Sequence, residues 1–203
     1  ARGERADSSG PELARLIQSG GWSVVKQGIL PDDESAIREK LIHWTDSAEI
    51  DVILTTGGTG FSPRDVTPEA TRAVIEREAL TLLLLNPGLA AELPEGEPLP
   101  IRDEAGRTLG EAWRRAASEG GATRDLEAFV AGLDAATADL ARSLLASARA
   151  RGVRPDPQSD REALRVCLLR LRVSETEARL SDLQSLIRAS AEDDDDTPDI
   201  RVL

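Results

Sequence analysis

The residues whose types and spacing could do chemistry cluster early in the chain, in the run Thr55-Thr56-Gly57-Gly58-Thr59-Gly60, with Asp65 and Thr67-Pro68 close behind. Glycines let backbone N–H groups approach an anion. A helix opening at Thr67-Pro68 would aim its dipole and free N–H groups the same way, so the chemistry in view is phosphate binding. Each residue also has a plain structural role. The glycine run can be a tight turn, Asp32 a helix cap, and Asp65 a loop residue bonding its own backbone. His43 falls mid-helix and reads as a surface residue. Cys167 lies among Val166, Leu168 and Leu169 and reads as a core thiol.

The elements that must position this loop follow from hydrophobic spacing. Ile50 to Leu54, interrupted only by Asp51, fits a strand buried on both faces, and Trp22 to Leu30, with Val24-Val25 and Ile29-Leu30, suggests another. Between them Ile37, Leu41 and Trp44 mark one face of a helix, with Asp32 or Asp33 at its N-cap. That order is a βαβ unit. Ser9-Gly10-Pro11 announces an earlier helix with Leu13, Leu16 and Ile17 on one face and Gly20-Gly21 as its stop. The helix opened by Thr67 as cap and Pro68 at its first position has no stop before Asn86-Pro87-Gly88.

Beyond it, residues 89 to 110 read as an irregular connection, with helical stretches near 109 to 118 and 124 to 132. Leu140, Leu144 and Leu145 mark an amphipathic helix from Asp134 to Arg151, closed by Gly152. A long helix from about Asp160 to Ala191 carries Leu164, Leu168 and Leu171, then Leu180, Leu183 and Ile187, and is expected to pack in a hairpin or a coiled-coil-like seam. The acidic run Glu192 to Asp196 begins a tail expected to be disordered.

Composition sets limits. The net charge of −12 divides into about −5 up to Ala79 and about −7 beyond it, so neither part is basic and duplex nucleic acid is disfavoured as a partner. One Cys and one His cannot make a disulfide or a four-ligand zinc site. Leu82 to Leu85 is far too short to span a membrane, and a cytoplasmic protein is expected. Two Phe, three Trp and no Tyr leave the core to aliphatic side chains. The chain starts at Ala1 and contains no Met, which suggests a fragment, a processed form or an artificial join.

The string DVILTTGGTGFSPRDVTPEATRAVIERE, with Asp7-Ser8-Ser9-Gly10-Pro11 and the Pro31-Asp32 turn before it, resembles the signature of the MoaB/Mog family, which includes the G domain of gephyrin and its plant counterpart. The resemblance covers residues 1 to 79. It implies a molybdopterin phosphate held by Thr55, Thr56, Gly57, Gly58, Thr59 and Gly60, with Ser9, Gly10, Thr67 and Pro68 at the same site. It also implies adenylyl transfer from ATP, with Asp32 and Asp65 as the acids that bind Mg²⁺ and orient the phosphates. Members are often trimeric. The family's opening hydrophobic strand and its later Asn-Leu-Pro-Gly loop are not visible here, so the resemblance implies binding more than turnover, with an exposed sheet edge.

From about Ala79 onward, EREALTLLLLNPGLAAELPEG and REALRVCLLRLRVSETEARLSDLQSLI look like the helicase-interacting region of DnaG-type primases. That would imply a module binding a replicative helicase through residues 80 to 191. The expected architecture is therefore a Rossmann-like α/β part over residues 1 to 79, a partial parallel sheet flanked by helices, then an all-α domain over 80 to 191 and an acidic tail over 192 to 203. The two resemblances meet within Val74 to Ala79, where a fusion, natural or artificial, is the simplest reading.

Overall fold

The computed structural model describes residues 9–47, 49–56, 66–93, 96–119 and 125–194. Asn86 breaks a helix that is buried on nearly every side, and the rest of the architecture is arranged around that helix. It is α3 (Thr67–Leu85), preceded by α1 (Ser9–Ser19) and α2 (Glu34–Thr45). A 3₁₀ turn (Pro87–Glu92) follows, then α4 (Glu104–Ser118), α5 (Leu126–Ala131), α6 (Ala135–Ala150) and α7 (Pro157–Asp194).

Ala79 through Leu84 are buried one after another, and the single polar side chain among them, Thr81, donates its hydroxyl to Arg77 O at 2.8 Å. A stretch of helix buried on all sides must be enclosed, and α4, α6, α7 and the 3₁₀ turn all pack against α3. They bring Leu109, Trp113, Leu144 and Leu164 into one core with Leu80 and Leu83. Each such side chain contributes about 1.5–3 kcal/mol relative to exposure. Trp113 meets Phe129 edge-on, with ring centroids 4.9 Å apart. The other half of α3 packs on α2, where Ile37, Leu41 and Ala70 form a second, smaller cluster.

One ion pair ties these parts together. Arg72 Nε donates to Glu76 Oε1 at 2.9 Å with both side chains buried. Its other nitrogens donate to the carbonyls of Leu171, at 2.8 Å, and Pro100, at 2.6 Å. Glu76 in turn accepts from the Arg102 backbone at 3.0 Å. Pairing plus further hydrogen bonds is the condition under which buried charge is tolerated. At the other end of α3, Asn86 donates to Asp160, fastening that end to the start of α7.

Sequence signals explain the helix ends. Asp33, Asp103, Asp125 and Asp134 cap α2, α4, α5 and α6, each accepting a backbone N–H three residues on. Gly21 (φ 83°) closes α1 in a paired geometry: its N–H bonds Gln18 O, and the next, Trp22 N, bonds Ile17 O. Gly152 closes α6 in the same way.

The expected partial parallel sheet is not present: among the described residues there is no strand, and the α/β reading of the first part is corrected to α-helical. Residues 22–30 and 50, 52–56 run without regular structure, and Trp22, Val25, Ile29, Val52 and Leu54 remain exposed. The β-branched residues promise strands only if a neighbour completes the ladder and helices cover the faces. Here the two stretches border a cleft with no ladder between them. Two further expectations shift. Residues 104 to 110, read as irregular, open α4, and α7 runs through Asp194, three residues into the expected tail.

Candidate functional site

Where a sheet was expected there is a cleft of about 620 Å³. Its walls are Gly10, Leu13, Ala14 and Ile17 of α1, the extended residues 22–29, Trp44 of α2, and residues 49–54 with Thr56. The volume lies in the range of small-molecule sites, as does the mixture of apolar wall and few polar groups. Lys26 and Glu49 meet across it at 2.9 Å, and Lys26 Nζ also reaches Ser47 Oγ at 3.5 Å. The Lys26 ammonium holds the Glu49 carboxyl below the usual carboxylate range. Trp44 is set by the Lys40 ammonium, 5.4 Å from its ring centroid.

Of the residues singled out by sequence, Gly10 and Thr56 line this cleft together. Thr55 sits between two lining residues on the same stretch, and Ser9 begins α1 beside Gly10. Thr67 and Pro68 open α3 as expected, with Val66 rather than Thr67 at the cap position, and Thr67 O accepting from the Thr71 hydroxyl at 2.8 Å. Asp32 is exposed just before α2 and does not line the cleft, while Asp33 is the cap, accepting from Ala36 N at 2.8 Å. Gly57, Gly58, Thr59, Gly60 and Asp65 lie outside the described residues. Among the described residues no group of three or more His, Cys, Asp or Glu is placed to hold a metal ion. No helix among them is long and apolar enough to cross a membrane.

Sequence reasoning passed over Trp22, Trp44, Lys26 and Glu49 as functional groups. A signal was available for the first two: they are two of only three tryptophans, and both flank the segments taken as strands. Lys26 and Glu49 carry no local motif, since their meeting depends on how the two stretches run.

A cleft walled by a helix, two extended stretches and a threonine that leads into a glycine run is the arrangement of a small-molecule binding domain. The family described as probable molybdopterin binding domain matches residues 1–122, more than half of the chain, and the chain belongs to that family. It is 52% identical over 73 residues to the molybdenum cofactor synthesis protein cinnamon of Drosophila melanogaster, covering 36% of this chain and 12% of that protein. It is 39% identical over 77 residues to molybdenum cofactor biosynthesis protein B of Escherichia coli, covering 38% and 45%. Over 50 residues it is 46% identical to the molybdopterin adenylyltransferase of the same bacterium, covering 25% and 26%. The chain thus spans less than half the length of these curated relatives. No solved structure matches it.

Proposed function

We propose that this chain binds molybdopterin in a step of molybdenum cofactor biosynthesis, in the cytoplasm, through the cleft between α1 and residues 22–29 and 49–56. The observation that carries the reading is the family match over residues 1–122, which includes the whole wall of this cleft. The residues present fit a flat, phosphorylated heterocycle. Trp22 and Trp44 supply aromatic faces, Lys26, paired with Glu49 in this structure, is a cation a phosphate could draw away, and Thr56 precedes in sequence the glycine run whose residue type suits a phosphate.

Adenylyl transfer is the finer reading, supported by the likeness over 50 residues to the adenylyltransferase. In that reading Mg²⁺ would neutralise the triphosphate of ATP, Asp65 would be the acid that holds it, with Asp32 reaching it only if the chain before α2 moves toward the cleft, and the chain's own task would be positioning and charge.

The test is an anaerobic titration with molybdopterin, with and without Mg²⁺-ATP, read by tryptophan fluorescence. Trp22 and Trp44 line the cleft while Trp113 sits in the helical core, so saturable quenching that is lost in Trp44→Phe with Trp22→Phe reports the site. Weaker binding by Asp65→Ala and formation of adenylated product would support the enzymatic reading. A folded sample that shows no saturable binding would overturn the proposal.

A further inference from the structure

Helix α7 carries two apolar faces, and among the described residues only one is buried. Leu164, Leu168 and Leu171 are buried against α3 and its neighbours, and Leu171 is the last buried residue of the helix among those described, which reach Ile187. On the opposite side Val166, Leu169, Val173, Leu180, Leu183 and Ile187 are all exposed, from 40% to 66%. With Thr176 included, these positions follow one another at intervals of three and four from 166 to 187, an unbroken heptad seam. Helical geometry places the seam about 150° from the buried face. The body of the chain therefore does not obstruct it.

We propose that a second copy of this chain covers this seam, forming a parallel two-stranded coiled coil over residues 166–187. Four observations choose that occupant. First, 23 residues from Arg172 to Asp194 carry the helix about 34 Å past its last buried residue, and helices of this kind draw most of their stability from tertiary packing. Second, the heptad assigns Val166, Val173, Leu180 and Ile187 to position a, and Leu169, Thr176 and Leu183 to position d. Three of the four a positions are β-branched and two of the three d positions are Leu, and β-branched residues at a with Leu at d favour two parallel strands over three or four.

Third, the flanking charges distinguish orientation. In a parallel pair Arg172 at position g borders Glu177 at position e of the other copy, an opposite-charge contact. Arg172 and Arg165 are each already held within their own chain, by Glu97 at 2.6 Å and by Glu92 at 2.7 Å, so this contact and the one like-charged neighbour pair, Arg165 with Arg170, are blunted alike, and the orientation rests on the antiparallel alternative. A fully overlapped antiparallel pair would set Glu177 against its own copy and Arg179 against its own copy. Fourth, a parallel pair puts the two bodies at the same end on opposite outer sides, since each packs on the face of α7 that points away from the seam. The N-terminal clefts remain open, so the inference does not depend on what they bind.

The full chain would be examined by sedimentation equilibrium from about 1 to 200 µM, where a mass twice the 21.8 kDa of one chain is expected. Leu180→Glu with Leu183→Glu should raise the dimer dissociation constant about 100-fold or more while the thermal transition of the helical core stays in place, because both positions are exposed in the single chain. Thr176→Leu should tighten it about 10-fold. Orientation is read from Val173→Cys in a Cys167→Ser background: parallel pairing brings the two copies of position 173 within disulfide reach, and antiparallel pairing separates them by about 15 Å. A monomer throughout the range, a trimer, or a dimer indifferent to the two glutamates would overturn the proposal, as would failure of the Val173→Cys variant to cross-link.

Discussion

Burial pushes the Cys167 thiol up to about 11, and the nearby Glu78 carboxylate adds to the effect while Arg170 opposes it. At pH 8 only about one thiol in a thousand is then ionised, and the thiolate is the nucleophile. Alkylation of the folded chain by iodoacetamide at pH 8 should be slower than that of the urea-unfolded chain by about two orders of magnitude, as mass spectrometry can follow. The sign of the linkage is set by the raised value. An unfolded thiol ionises near its ordinary value of 9 while the folded one stays neutral, so this residue's contribution is fully present below pH 9 and lost as the pH rises toward 11. The sequence reading of Cys167 as a core thiol agrees with this. The Arg72–Glu76 pair was not legible in the same way, because an i, i+4 charge pair reads as a solvated helix face. It is buried only because Leu171 and Pro100, far along the chain, supply carbonyl acceptors for Arg72. Glu76→Ala would leave that guanidinium buried without its partner and should cost about 3–5 kcal/mol. For a chain of this length the melting temperature should fall on the order of 10 °C, measured by circular dichroism.

Among the elements, α4 shows why a helix can need a poor helix former. A Cβ at Gly110 would sit 2.5 Å from Leu99 Cδ1, and Leu99 is itself buried. Gly110→Ala gains about 1 kcal/mol of helix propensity but forces a packed side chain to move, at about 1–3 kcal/mol. The packing term wins, and the variant should be less stable in urea unfolding. The start of this helix escaped the sequence reading because Gly106 and Gly110 look like loop residues, whereas their role is close approach to Leu80, Leu99 and Ile101. Helices with regular apolar spacing or a local end signal were legible, since both are read within one segment: α2, α6, α7 and the unbroken α3 fall close to where the sequence places them. The strands were not, because a strand is defined by a partner that spacing within one segment cannot supply. Of the candidate site, Gly10 and Thr56 were legible through a motif, while the wall made by Trp22, Lys26, Trp44 and Glu49 depends on how two extended stretches face one another.

At the scale of the whole molecule, stability and the candidate site are kept apart. The large core lies around the second half of α3, whereas α1 has no buried residue and its cleft wall is held by few polar contacts such as Lys26–Glu49. Regions with little buried apolar surface open at low free energy, and binding segments are drawn from that end of the range. The two ends of α3 belong to the two regimes, since its first half carries the small cluster with α2 and its second half the main core. Native-state hydrogen exchange should therefore show α1 exchanging near the rate of an open chain, α2 intermediate, and residues 79–85 of α3 only through global unfolding. A ligand that fills the cleft stabilises by mass action the states in which its walls are closed. Saturating molybdopterin should accordingly slow exchange in α1 and around Ile50 to Thr56 by about 100-fold at 100 times its dissociation constant, while leaving Leu83 and Leu84 at the rate set by the core. Equal protection of α1 and the α3 core before any ligand is added would show that the cleft is a rigid part of one cooperative unit, and the division of labour drawn from burial would be wrong.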